Sequence, residues 1–400
     1  MRTFGLSREL WLVQIGILLN ALGWGAVLPF EVIYLHDGRG FALGTAGLVV
    51  GTLTGVGILA APAAGPLIDR FGARAVAAGS GVALAAGYAG LAAAHHEAAA
   101  FAAAAVGGAG NGALLPAQST LLAALATPDV RHRATAVSRV STNAGFGVGG
   151  ALGGLVAGFG LTGFVALLLL NALTYLVYVG VLLAVVRGAP RPEAVPGGYR
   201  RVLRDGAFVH LVMTNVVIIA VGWGVLPWVV PPYAKSELGI DAQLIGLLLL
   251  ANAATVVLAQ VPVARWAEGR RRVVMMAAGA SLIGGACALC LAARPLGAGP
   301  LFVASIAIGV GECFHTAALM PLVAALAPES LRGRYMATVG FSWWIGLALA
   351  PTVGTQLLSV SASLTFSCCA GAATAAAVSM LALDRRLPVS TRLTPIPAHG

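Results

Sequence analysis

The sequence predicts an all-α polytopic membrane protein, built as two six-helix halves related by a pseudo-two-fold axis along the membrane normal. Three observations predict it. The 400 residues are 59% hydrophobic and only 10% charged, with a mean hydropathy of +0.91, against roughly 25% charged in a soluble domain. The apolar residues form continuous runs of about 20 rather than alternating, which suits helices crossing a ~30 Å hydrocarbon core and argues against a β-barrel. Short motifs of the first half recur in order in the second, the mark of a parallel repeat.

Twelve runs are expected, at 10–34, 42–66, 75–94, 98–125, 135–157, 163–186, 208–232, 242–264, 273–293, 300–326, 335–358 and 361–383. The first is too long for the apolar core of a signal peptide and carries Asn20, so it reads as a span. The second ends at Gly65-Pro-Leu-Ile-Asp69-Arg70-Phe-Gly72-Ala-Arg74. Its charges exclude it from hydrocarbon and its glycines permit tight turns, so it reads as a loop at a membrane face. The longest polar stretch, 187–207, is rich in Pro and Gly and reads as an irregular linker. The expected organisation is thus a half over 1–186, the linker, a half over 208–384, and a disordered tail over 385–400.

Charge orients the chain. With the N-terminus in the cytoplasm, all but Arg39, Lys235 and Arg294 of the 24 Lys and Arg residues fall in inside segments. That bias predicts both termini inside, and it accounts for the net charge of +10 by anionic lipid rather than nucleic acid. No Asn-x-Ser/Thr sequon occurs, which favours the plasma membrane of a bacterium. Cys287, Cys290, Cys313, Cys368 and Cys369 all lie in apolar runs. Without a second thiol pair or a histidine cluster they read as small hydrophobes, so neither metal nor cofactor is expected.

The repeat is specific. Gly23-Trp24-Gly25-Ala-Val-Leu-Pro29, ending at Tyr34, returns as Gly222-Trp223-Gly224-Val-Leu-Pro227, ending at Tyr233. Pro128-Asp-Val-Arg131-His-Arg133 returns as Pro328-Glu-Ser-Leu-Arg332-Gly-Arg334. Gly145, Gly150 and Gly153 then match Gly346, Pro351 and Gly354 at an offset of 201. A repeat in one orientation places a substrate site between the halves near mid-membrane.

Together the twelve runs, the central linker and the pattern G-x-L-x-D-R-x-G-x-R over 65–74 resemble the major facilitator superfamily along essentially the whole chain. The equivalent stretch of the second half, 262–271, is degenerate, with Trp266 where Asp69 stands, as is usual in that family. Run 5 holds Gly145-Phe-Gly147-Val-Gly149-Gly150-Ala-Leu-Gly153-Gly154, which resembles the G-x-x-x-G-P-x-x-G-G motif of the drug and proton antiporters, with Gly150 replacing the proline. Its glycines at i and i+4 suit close helix approach. The antiporters' helix-4 arginine is replaced by Val106, ahead of Gly110-Asn111-Gly112, so proton coupling does not carry over through that residue.

The polar residues within the runs supply the candidate site. Glu312 lies mid-run, where a charged carboxylate costs at least ~2.5 kcal/mol, so the neutral acid is favoured. His315 shares its face. Glu31 lies on a stripe with Asn20 and Trp24. These three acid–base groups are the proton-coupling candidates. Helices 1, 4, 7 and 10 line the cavity in the family. The resemblance therefore implies substrate contacts from Asn20, Trp24, Asn111, Gln118, Trp223, Phe314 and Trp343. It also implies that Gly65, Asp69, Arg70, Gly72 and Arg74 form the conformational gate, with Arg74 orienting Asp69 toward the N-terminal end of run 11. The expected function is proton-coupled efflux of a small drug-like or amphipathic compound by a monomer. An importer or uniporter of the same fold is the alternative. A membrane enzyme would need paired catalytic carboxylates or histidines at a membrane face, which the sequence lacks.

Overall fold

The computed structural model describes residues 6–126, 131–185, 199–328, 331–388 and 391–393. Residues 187–198 of the expected linker, 394–400 of the tail, and the loop motifs at 127–130 and 329–330 lie outside the described residues. Six long helices make up the first half: α1 (Arg8–Gly38), α2 (Leu43–Phe71), α3 (Ala73–Ala93), α4 (Glu97–Leu125), α5 (Arg131–Ala157) and α6 (Leu161–Val185). Six more follow: α7 (Gly206–Glu237), α8 (Ala242–Ala267), α9 (Arg272–Cys290), α10 (Gly299–Leu326), α11 (Arg334–Val360) and α12 (Ala362–Leu383). A short helix, Tyr199–Val202, occupies the described end of the linker region.

Eleven of the described helices are long and apolar enough to cross a membrane. The exception is α5, whose first turns read Arg-His-Arg-Ala-Thr-Ala-Val-Ser-Arg. Those turns offset its apolar second half. Two other spans run past their expected ends. Both α1 and α7 continue through a wide π turn, at Tyr34–Gly38 and Tyr233–Glu237, before Gly40 and Gly239 break the chain at φ +75° and +65°. The polar residues of those turns read as loop, whereas the backbone keeps satisfying itself by helical hydrogen bonds.

The chain divides into two compact units, residues 1–195 with 241–250, and residues 196–240 with 251–400. The first turns of α8 therefore pack with the first unit. Within each unit the same contacts recur 199 residues apart. The Tyr34 hydroxyl donates to Leu91 O at 2.8 Å, and Tyr233 donates to Cys290 O at 3.3 Å. Phe41 N bonds Leu35 O, and Ile240 N bonds Ala234 O. Small-residue packing recurs too, with the glycine two residues further along: a Cβ on Gly110 would lie 2.5 Å from Ser80 O, and one on Gly311, 201 residues on, would lie 2.8 Å from Gly279 O. The sequence repeat is thus a repeat of helix packing, held by small residues where backbones meet.

The region 65–74 departs from expectation. Gly65 through Phe71 are helical, and the turn is Gly72 alone, at φ +83° with its N–H on Ile68 O at 2.7 Å. Asp69 and Arg70 project from the exposed last turn of α2, so their charges need no loop to reach solvent. The tail differs as well. Thr391–Leu393 returns over the α8–α9 corner, pairing Arg271 with Leu393 and placing Arg392 O on Arg272 N at 2.8 Å. Buried Arg272 also donates Nη1 to Thr391 O at 2.8 Å, and Arg271 pairs with Asp384. Orphan helix-start N–H groups and a buried guanidinium give this segment a reason to order.

Candidate functional site

The first unit buries a carboxyl. Glu31 is 6% exposed, and its Oε1 accepts from the Tyr88 hydroxyl of α3 at 3.1 Å. Tyr88 stacks on Tyr175 of α6, with ring centroids 5.9 Å apart and planes at 12°. Asn171 lies within hydrogen-bonding reach of Tyr88, and Asn20 within reach of Tyr175. Asn20 and Glu31 thus converge on the α3–α6 side of α1. Trp24, one turn from Asn20, packs instead against Phe146 of α5, with ring centroids 4.5 Å apart and planes tilted at 56°. Asn111 and Gln118 are half-buried on α4, away from this cluster, with Asn111 packed beside Gly57 of α2.

The second unit buries an acid and a histidine on α10. Glu312 is 8% exposed and His315 is fully buried. They turn to different neighbours. The Glu312 carboxyl lies within reach of Asn252 on α8, whose Nδ2 donates to Ser305 O at 3.2 Å. Next to it, Thr316 donates to Glu312 O at 2.8 Å and reaches Gln260 of α8 at 3.3 Å. His315 Nε2 meets Asn215 Oδ1 of α7 at 2.8 Å, and Asn215 Nδ2 donates to Ser342 Oγ of α11 at 2.7 Å. No hydrogen bond or ion pair joins Glu312 to His315 among the described residues. Trp223 makes edge contacts with His315 at 5.6 Å and with Trp343 at 4.8 Å, while Phe314 packs edge-on against Trp266 at 5.4 Å.

The glycine series of α5 splits between two neighbours. A Cβ on Gly145, Gly149 or Gly153 would strike α1, at 2.6 Å from Ala21 Cβ, 2.3 Å from Leu22 O and 2.2 Å from Ala26 O. One on Gly150 or Gly154 would meet α8, at 3.1 Å from Leu249 Cβ and 2.6 Å from Ala242 O. In the gate region no hydrogen bond or ion pair joins Arg74 to Asp69 among the described residues. Arg74 Nε donates to Leu182 O at 3.3 Å and its Nη2 to Leu183 O, satisfying last-turn carbonyls of α6.

Residues 13–215 and 212–399 both match the family model described as Major Facilitator Superfamily. The chain belongs to the Major Facilitator Superfamily. Relatives of this major facilitator include an uncharacterized MFS-type transporter, YttB, of Bacillus subtilis, 28% identical over 367 residues that cover 88% of this chain and 89% of that one. The multidrug resistance protein MdtH of Aeromonas salmonicida is 29% identical over 357 residues, covering 86% and 85%. Among solved structures, a peptide transporter POT in complex with sulfate shares the fold at a TM-score of 0.78 and 16% identity, covering 96% and 95%. The nucleoside transporter NupG does so at 0.75 and 16%, covering 94% and 99%. This major facilitator is a multi-pass membrane transporter.

Glu31, Glu312 and His315 were legible as isolated polar residues in apolar runs. Their partners were not, because Tyr88, Tyr175, Asn215, Asn252 and Ser342 lie on helices far away in sequence or outside the four expected to line the cavity. The available signal was energetic: a buried carboxyl or imidazole requires partners, and these are the polar residues at matching depth.

Proposed function

We propose that this major facilitator exports a small drug-like or amphipathic compound by alternating access, driven by proton entry, with Glu312 as the coupling group. The observation that carries the reading is a carboxyl 8% exposed at mid-span of α10, with no Lys or Arg among its described ion pairs. An unpaired charge there is costly, so proton gain and loss is the step that changes the group's preferred surroundings. Similarity to MdtH supports efflux of drug-like compounds. The arginine bias supports a plasma-membrane orientation with both termini inside, and the glycine-packed halves support rocking of residues 1–186 against 208–384 about the 187–207 linker. Each proton entering gains ~2.3 kcal/mol per 100 mV, enough for a roughly fortyfold gradient from voltage alone.

The test is parallel flux and exchange in proteoliposomes with an imposed pH gradient. Glu312→Gln is expected to abolish proton-driven uphill export while substrate exchange survives, and Glu31→Gln to have the smaller effect. Uphill export by Glu312→Gln together with its loss in Glu31→Gln would move the coupling site to α1. The direction of flux in the same vesicles separates export from import and uniport.

A further inference from the structure

The hydrogen count around His315 fixes what the imidazole offers. Ser342 has one hydroxyl proton, and its Oγ donates to Val339 O at 2.7 Å. The Asn215 atom facing Ser342, at 2.7 Å, must then be the Nδ2 donor. That leaves Oδ1 facing His315 Nε2 at 2.8 Å, so Nε2 carries the proton. His315 is therefore the Nε2–H tautomer, and its Nδ1 is a bare acceptor. Among the described residues that Nδ1 has no hydrogen-bond partner, although His315 is 0% exposed. Trp343 Nε1, a buried donor, also lacks a partner among the described residues. Both rings touch Trp223, at 5.6 and 4.8 Å. An orphan acceptor and an orphan donor thus belong to the two rings in edge contact with Trp223. Buried polar atoms left unpaired oppose folding, and those that persist call for an explanation by function.

We propose that His315 reads the transported compound: its Nδ1 accepts a hydrogen bond from an N–H or O–H group carried on an aromatic compound packed against Trp223 and Trp343. Asn215 and Ser342 are positioning residues that hold the tautomer. The inference rests on the efflux reading for its supply of aromatic amphipaths, and it gives the α7–α10–α11 cluster a chemical preference. Aromatic amines and phenols fit; aromatic compounds without a donor forfeit the bond. Discrimination arises because Nδ1 is already unpaired in the free protein, so a donor-bearing ligand gains a hydrogen bond that a donor-free ligand does not. His315 makes this contact as a neutral ring, so its role is separate from the protonation of Glu312.

Two aromatic cations test it on the purified full-length protein without a pH gradient: ethidium, which carries two primary amines, and tetraphenylphosphonium, which has no N–H or O–H. His315→Phe keeps a ring on Trp223 and is expected to weaken ethidium roughly tenfold, about one hydrogen bond, while leaving tetraphenylphosphonium unchanged. Asn215→Leu, which keeps the imidazole and frees its tautomer, is expected to weaken ethidium alone and by less. Nitrogen-15 spectra of histidine-labelled protein supply a readout independent of variant folding. The His315 Nδ1 resonance should be that of an unprotonated, unbonded nitrogen, and should move on adding ethidium only. Equal loss of both cations, retention of both, wild-type protein that binds neither, or an Nδ1 already protonated would each overturn the proposal. Because no proton gradient is applied, a failure of antiport at Glu312 leaves these outcomes readable.

Discussion

Asp69 occupies an unfavourable place in its own helix. It lies in the exposed last turn of α2, where the carbonyl end of the helix dipole disfavours a negative side chain. A residue held against its local preference is a reason to look for a partner elsewhere, and the proposed one is the positive N-terminal end of α11 when the cytoplasmic side is closed. Asp69→Asn is expected to leave expression near wild type and to slow transport, since such a charge–dipole contact is worth ~0.3–1 kcal/mol exposed and up to ~2 partly buried. Undiminished flux at equal protein level would discard the gate. Arg74 does different work: it secures α6 to the start of α3 through Leu182 and Leu183. The motif pattern singled out both residues, but not the α6 carbonyls that Arg74 meets. That contact depends on where α6 ends, 108 residues away.

At the scale of elements, α5 shows what glycine accomplishes on two faces at once. Gly149 and Gly153 bring its backbone onto that of α1, so close that even an alanine methyl would meet Leu22 O and Ala26 O at 2.3 and 2.2 Å. Overpacking of this kind costs ~1–3 kcal/mol. Gly149→Leu and Gly153→Leu are therefore expected to cut folded yield or flux, while Gly180→Ala on α6, which meets nothing within 4 Å, is not. Thermal melting in detergent with matched flux assays decides it; normal melting in both leucine variants would place this face against lipid. The glycine spacing was readable in the sequence because spacing alone determines which face is bare. The division into an α1 face and an α8 face was not, because it requires knowing which helices flank α5. Helix ends were the other weak point. His36, Asp37, Lys235 and Glu237 are polar enough to read as loop, yet backbone hydrogen bonding carries the helices through them.

At the scale of the whole chain, the number and order of the helices were legible because hydrocarbon permits so few backbone solutions, and the duplication was legible in short motifs. The tail was not. Nothing in Leu387–Leu393 has helical or alternating period, so composition suggested disorder. The order arises from carbonyls at 391 and 392 meeting Arg272. Removing residues 387–400 strips buried Arg272 of both carbonyl contacts. The truncated protein is expected to lose ~1–3 kcal/mol of stability, the cost of unpaired buried donors, seen as a lower melting temperature in detergent. An unchanged melt would show the clasp to be energetically idle.

That clasp also makes the chain terminus an instrument. A fluorophore fused beyond Leu393 is tethered through Thr391 and Arg392 to the α8–α9 corner. Its polarisation should follow the tumbling of that corner, so a C-terminal reporter becomes a gauge of movement in the second half.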